Sequence, residues 1–231
     1  MMASPDTFEI SIKGDGGHAA MPHQTVDAIA IGAQVVTNLQ HVVSRETDPT
    51  ENVVVSVTKF VGGTTHNVIP GTVVMTGTVR TLKPEVRDRV PGIMERIVKG
   101  ITAAHAASYS FAYQRGYRPV INDDEVTGVV ERTARETLGD EAVEIMSANM
   151  GGEDFSAFQQ AAPGTFFLVG AGNKEEGIVY PHHHRCFAID ESALPVGVRM
   201  FVRAAFELLD ARKVGSREEG KRVGPFLNGA G

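Results

Sequence analysis

Residues 53–80 read VVVSVTKFVGGTTHNVIPGTVVMTGTVR, and this stretch decides the architecture of the first half of the chain. Val53, Val55 and Val57 fall on one side of a β-branched strand running to about Val61, and Val73, Met75 and Val79 on one side of a second, Thr72 to Arg80. Their connection, Gly62 to Gly71, is long for a plain turn, and the two adjacent strands are expected to be antiparallel. Gly77 marks a bulge or a close approach.

Upstream, TFEISIKG at 7–14 alternates as a strand, and Asp15-Gly16-Gly17 then breaks the pattern and delivers His18 and His23. From Thr25 to about Val43 the apolar residues recur at three- and four-residue steps, as in a helix with one buried face, and Pro22 and Thr25 suit its entrance. Downstream, Pro84 opens a second helix whose stripe is Val86, Val90, Ile93, Ile97, Val98 and Ile101. Pro91 is expected to delay its regular start or kink it near Met94, because an interior proline costs about 3 kcal/mol. Residues 108–117, SYSFAYQRGY, give a last alternating strand. The order strand, helix, strand, strand, helix, strand is the ferredoxin-like split βαβ arrangement, with four antiparallel strands and two helices on one face. The other face has no helix to cover it, and an exposed edge strand can pair across a two-fold axis, so a dimer is expected.

A boundary is expected near Arg118-Pro119-Val120. Beyond it Asn122-Asp123-Asp124-Glu125 opens a helix that Gly139 stops, Val143 to Ile145 reads as a short strand, and Thr165 to Val169 as an apolar one. Asp190-Glu191-Ser192 caps a closing helix to about Leu209, packed through Leu194, Val198, Phe201, Ala205 and Leu208. Residues 211–231 read as a flexible tail. The second region looks too open for a complete α/β domain.

With 22 Lys plus Arg against 28 Asp plus Glu and a net charge of -6, the 231-residue chain has no general field for nucleic acid. No apolar run approaches the roughly 18 residues of a membrane span, the amino terminus lacks a signal-peptide pattern, and the single cysteine, Cys186, cannot form an internal bridge. A cytoplasmic location is expected. Glycine, at 25 residues, exceeds the average usage of about 7%.

The chemistry concentrates in Tyr180-Pro181-His182-His183-His184-Arg185-Cys186-Phe187. Three consecutive histidines cannot all face one ion, so the cluster is either a source of one metal ligand or a solvated histidine loop. His18 is either a turn residue or a group offered to a ligand, and Asn67 either supports a turn or meets substrate. Arg80 is able to clamp a carboxylate or to make an ordinary surface pair, and Glu153-Asp154 to do acid–base work or to cap a helix. No HExxH, CxxC, dinucleotide fingerprint, phosphate loop or nucleophile elbow occurs.

Taken together, Gly16-Gly17-His18-Ala19-Ala20-Met21-Pro22-His23, Gly62-Gly63 with Asn67-Val68-Ile69-Pro70, Gly77-Thr78-Val79-Arg80, Met150-Gly151-Gly152-Glu153-Asp154-Phe155, and His182 to Phe187 with Asp190-Glu191 resemble the M20 metallopeptidase family. More narrowly they are similar to its amidohydrolase branch of hippurate hydrolases, N-acyl-amino-acid deacylases and auxin-conjugate hydrolases. The resemblance implies that residues 1–117 are a lid and dimerisation domain and that 118–210 are the last portion of a zinc-peptidase-like α/β catalytic domain. The first portion, with most metal ligands and the general base, then lies outside this chain. It further implies that His18 steadies the oxyanion in the partner subunit's site, that Asn67 and Arg80 bind substrate, and that His183 is a metal ligand; Arg185 stands where the family often has proline. The implied reaction is cleavage of N-acyl amino acids by water activated on a divalent metal, zinc in the first instance or Mn, Co or Ni. On this reading the chain alone is inactive; the competing class is a non-catalytic dimerisation or scaffold module, or an inactive truncated homologue.

Overall fold

The computed structural model describes the backbone of residues 1–222 and side chains through residue 210. Two compact units emerge, Met1–Ile121 with Ser147–Ala162, and Asn122–Met146 with the chain from Pro163 onward. The first crossing falls next to the expected boundary at Arg118-Pro119-Val120, while Ser147–Ala162 clusters with the first unit rather than the second.

The first unit contains strands β1 (Ser4–Lys13), β2 (Gly17–His18), β3 (Val53–Gly62), β4 (Val68–Ile69), β5 (Thr72–Thr81) and β6 (Ser108–Gln114), with helices α1 (Ala28–Leu39), α2 (His41–Ser44) and α3 (Pro84–Ala104). The main sheet has the order β3-β5-β1-β6 with every neighbour antiparallel. Phe8, Ile10, Ile12, Val73, Met75 and Val79 point to one face and are buried beneath α1 and α3, which contribute Ile31, Val35, Leu39, Val86, Val90, Met94 and Val98. Burying each such side chain stabilises by about 1.5–3 kcal/mol. That burial holds α3 as one helix from Pro84 through Pro91 to Ala104, without the delayed start expected from the sequence. α1 begins later than Pro22 and Thr25 suggested. Those residues form a separate 3-10 turn, in which the Thr25 hydroxyl bonds the Pro22 carbonyl at 2.9 Å. The carboxylate of Asp27 caps α1 instead, accepting from the Ile29 and Ala30 amides at 2.9 and 3.1 Å.

Gly77 marks both features that its position suggested. A Cβ there would lie 2.1 Å from the Ser56 carbonyl and 2.4 Å from Phe8 Cζ, and the β3–β5 register slips between Val57 and Lys59 directly opposite.

A fully buried carboxylate, Asp6, sits near the start of β1. Asp6 accepts from Arg87 Nε at 2.9 Å and Nη2 at 2.5 Å, from the Tyr113 hydroxyl at 3.0 Å and from the Gly116 amide at 2.9 Å, while Arg87 Nη2 also reaches the Gly116 carbonyl at 2.8 Å. The hydrogen bond to Asp6 raises the Arg87 guanidinium above its ordinary pKa. Burial, followed by the negative charge of Asp6, pushes the Tyr113 phenol well above the usual tyrosine range. One polar knot thus ties β1, α3 and the exit from β6.

The second unit packs helix α4 (Asp124–Leu138) on a long helix, α6 (Ala193–Arg222), after the short α5 (Ser156–Gln159) of the first unit. α4 is capped by Asp123, which accepts from the Val126 amide at 2.9 Å, and is followed by Gly139 at φ 91. Val130, Met200 and Ala204 are its buried centre, with Val126, Ala134, Leu138 and Phe167 around them. This corrects the expected packing face of the closing helix. Leu194, Val198 and Phe201 are 56%, 65% and 69% exposed, because α4 seats on the Met200–Ala204 row instead. α6 spans Ala193–Arg222, past Leu209 where the sequence suggested its end; residues 223–231 of the expected tail lie outside the described residues. The strands expected at Val143–Ile145 and Thr165–Val169 do not form ladders. A strand is defined by a paired neighbour, and the Phe166 main chain is bonded by a side chain: Asn122 donates to its carbonyl and accepts from its amide, each at 2.9 Å.

Candidate functional site

The candidate residues gather in separate places, each built by local backbone chemistry. After β1, the Gly14 amide bonds the Gly71 carbonyl at 2.9 Å and the Asp15 and Val26 main chains bond each other at 3.0 and 2.8 Å, which turns the chain back beside Gly71. A Cβ on Gly16 would lie 2.5 Å from the Ile69 carbonyl, so only glycine lets β2 lie this close to β4. In the resulting two-stranded ribbon His18 pairs with Val68, and the Ala19 amide donates to the Asn67 carbonyl at 3.1 Å. The ribbon therefore places His18 and Asn67 side by side, both exposed.

The His18 ring has a defined polarity. Its Nδ1 accepts from the Ala20 amide at 3.1 Å, and a ring nitrogen that accepts carries no proton. The neutral imidazole thus has its proton on Nε2, pointing a hydrogen-bond donor away from the backbone. Asn67 Oδ1 accepts from the Thr65 hydroxyl at 3.1 Å, which orients its amide. The signal the sequence holds for the Ala20 contact is the small His18-Ala19-Ala20 segment that follows Gly16-Gly17.

Arg80 is not part of this pair. It lies at the opposite end of β5, in register with Pro5 and Val54, and roughly 27 Å of strand separate it from Thr72 beside the ribbon. Its Nη1 runs along the Met150-Gly151-Gly152 turn, where a Cβ on Gly152 would come within 3.1 Å of it. That turn is fixed to the start of the chain, since the Ala3 amide reaches the Asn149 and Gly151 carbonyls at 3.0 and 2.9 Å. Glu153 behaves as a local cap, its Oε1 accepting from the Phe155 amide at 3.4 Å.

In the second unit the histidine loop is a double turn. The His184 amide bonds the Pro181 carbonyl at 3.2 Å and the Phe187 amide bonds the His184 carbonyl at 2.9 Å. His184 stacks on Tyr180 with centroids 4.3 Å apart and planes 5° from parallel, and its Nδ1 accepts from the Cys186 amide at 3.1 Å. His182 meets Phe187 edge-on at 4.9 Å. None of these contacts involves His183, which is exposed at φ 66. The three histidines are thus distinguished by what engages them. The base of the loop is held by Asp190, which accepts from the Ser192 amide and from Asn173 Nδ2 at 2.9 and 2.7 Å; the bonds from Ser192 and Asn173 keep its carboxyl below the usual carboxylate range. A shallow, mainly apolar depression of about 560 Å³ beside it is lined by Val169, Ile178, Val179, Tyr180, His182 and Phe187, among others. Among the described residues, no three His, Cys, Asp or Glu side chains converge to hold a metal ion. As a donor set, the loop offers one unengaged imidazole, His183.

The model of peptidase family M20/M25/M40 matches residues 9–207. The chain belongs to this family. An N-acyl-L-amino acid amidohydrolase of Geobacillus stearothermophilus is 68% identical over 125 residues, covering 54% of this chain and 34% of the relative. An N-acetylcysteine deacetylase of Bacillus subtilis is 39% identical over 213 residues, covering 92% of this chain and 54% of the relative. The crystal structure of the Bacillus subtilis YxeP protein, a dinuclear metal-binding peptidase of the M20 family, superposes with a TM-score of 0.72 at 32% identity, over 91% of this chain and 51% of that one. The chain spans about half the length of most of the curated relatives it matches. This M20 chain is thus of mixed α/β fold, with a four-stranded antiparallel sheet. Among its described residues no helix is long and apolar enough to cross a membrane.

Proposed function

We propose that this M20 chain carries the lid and the carboxy-terminal portion of the catalytic domain of an amidohydrolase that cleaves the amide bond of N-acyl amino acids. The observation that carries this reading is the His18–Asn67 ribbon, with the outward Nε2–H of His18 fixed by the Ala20 amide. A neutral imidazole that presents a donor suits the oxygen that gathers negative charge as an amide carbonyl becomes tetrahedral. His18 and Asn67, which orients the acyl amide, serve the partner subunit's site, whereas Arg80, at the far end of β5 from the ribbon, pairs a substrate carboxylate with its planar fork at a different site of the dimer. His183 contributes the chain's ligand to a divalent metal, zinc in the first instance, whose other ligands come from outside these residues. When bound, that metal supplies the Lewis acidity that activates water for attack on the amide.

The relatives' names support this class: one hydrolyses N-acyl-L-amino acids and another deacetylates N-acetylcysteine. The dimer belongs to the same proposal, with the sheet edge at β3, where Phe60 and Val61 are 39% and 53% exposed, as its seat. The test joins this chain to the amino-terminal part of the Geobacillus relative and measures amino-acid release from N-acetyl- and N-benzoyl-amino acids with Zn, Mn, Co and Ni. Divalent-metal-dependent release is expected from the joined protein and none from this chain alone. Release that is insensitive to metal removal contradicts the proposal, as does hydrolysis by the chain unaided.

A further inference from the structure

The histidine loop contains a backbone anomaly that its sequence does not explain. His183 is the third residue of the turn Pro181–His184, and its φ of 66 is a left-handed conformation that such turns normally assign to glycine or asparagine. For a residue with a Cβ this conformation is strained, so the surroundings must hold it. Two ring contacts flank it. Tyr180, just before the double turn, stacks on His184, and Phe187, at its end, packs edge-on against His182. The two ring pairs cross the loop in opposite directions and seize the neighbours of His183 on both sides. The Cys186 amide, bonded to His184 Nδ1, locks the second of them.

We infer that His182 and His184 are positioning residues, clasped by Phe187 and Tyr180 so that the double turn presents the His183 imidazole, unengaged, to a metal ion. This rests on the reading of His183 as a metal ligand. It also gives the run of three histidines a division of labour: the outer two hold, the middle one binds.

The test uses the chain joined to the amino-terminal part of the Geobacillus relative, so that the remaining metal ligands are present, with histidine-selective isotope labelling and Co2+ as the probe. Without metal, the His184 ring protons are expected upfield from the Tyr180 ring current, and Tyr180→Leu returns them to ordinary positions. On adding Co2+, paramagnetic broadening is expected first at His183. His183→Ala abolishes that site, whereas Tyr180→Leu with Phe187→Leu weakens it about tenfold, the scale of lost outer-sphere support. The melting temperature is expected to change little in the leucine variant, because Tyr180 and Phe187 are 46% and 44% exposed. His184→Asn, which keeps an acceptor for the Cys186 amide, is expected to retain part of the affinity and His184→Ala less.

Unchanged Co2+ affinity in the leucine double variant overturns the clasp while leaving His183 as a ligand. Broadening that survives His183→Ala overturns the ligand reading, and the clasp's role with it, even if the ring-current shift of His184 is present. An absent upfield shift in the unmodified chain overturns the stacked geometry directly.

Discussion

Arg87→Met is the sharpest probe of what holds the first unit together. Arg87 and Asp6 side chains are 6% and 0% exposed, and the guanidinium makes two bonds to the carboxylate and one to the Gly116 carbonyl. Methionine keeps much of the aliphatic volume but leaves Asp6 buried with only the Tyr113 hydroxyl and the Gly116 amide as donors. Removing one partner of such a buried pair costs about 3–5 kcal/mol, mostly from the stranded charge. Against a total stability on the order of 5–15 kcal/mol, that is a large fraction. Adding Asp6→Asn removes the stranded charge and keeps an acceptor, so the double variant is expected to be more stable than Arg87→Met alone. Urea unfolding followed by far-ultraviolet circular dichroism reads both, since the chain has no tryptophan. A loss below about 1 kcal/mol, the range of exposed pairs, refutes the reasoning, as does a double variant weaker than the single one.

The same knot predicts a loss of stability in alkali. The folded chain holds the Tyr113 proton more tightly than the unfolded chain does, so this contribution is complete below about pH 10, the ordinary tyrosine value, and is lost as pH rises beyond it. Urea midpoints measured across that range should fall, and fall less steeply in Tyr113→Phe; equal slopes contradict the assignment. Gly77→Ala forces a methyl against the Ser56 carbonyl and the Phe8 ring, and is expected to destabilise by about 1–3 kcal/mol in the same assay. A neutral result there means that the β3–β5 pairing is looser than described.

The six main elements of the first unit were legible because alternation and helical spacing there agree with burial, as in Phe8-Ile10-Ile12 and Val86-Val90-Met94. The polar knot is harder to see, although the phase of its residues points inward. Asp6 falls in step with Phe8 and Ile10, and Arg87 lies three residues before Val90, so both point into the core. Charge alone suggested surface. In the second unit the apolar run Thr165–Val169 reads as a strand, but pairing depends on a neighbour that no pattern within the run supplies. The packed face of α6 is ambiguous for a related reason: both Leu194-Val198-Phe201 and Met200-Ala204 have helical spacing, and only the position of α4 chooses between them. The histidine run announced chemistry, yet nothing in three identical side chains says which one takes the left-handed turn position.

The central claim is that this M20 chain brings an oxyanion donor, His18, to an amide-hydrolysing site. The most direct measurement is turnover of an N-acyl amino acid by the chain joined to the amino-terminal part of its Geobacillus relative, with and without His18→Ala. The account predicts a kcat lower by about 10²–10³ at unchanged metal content. Unchanged turnover in the alanine variant contradicts it.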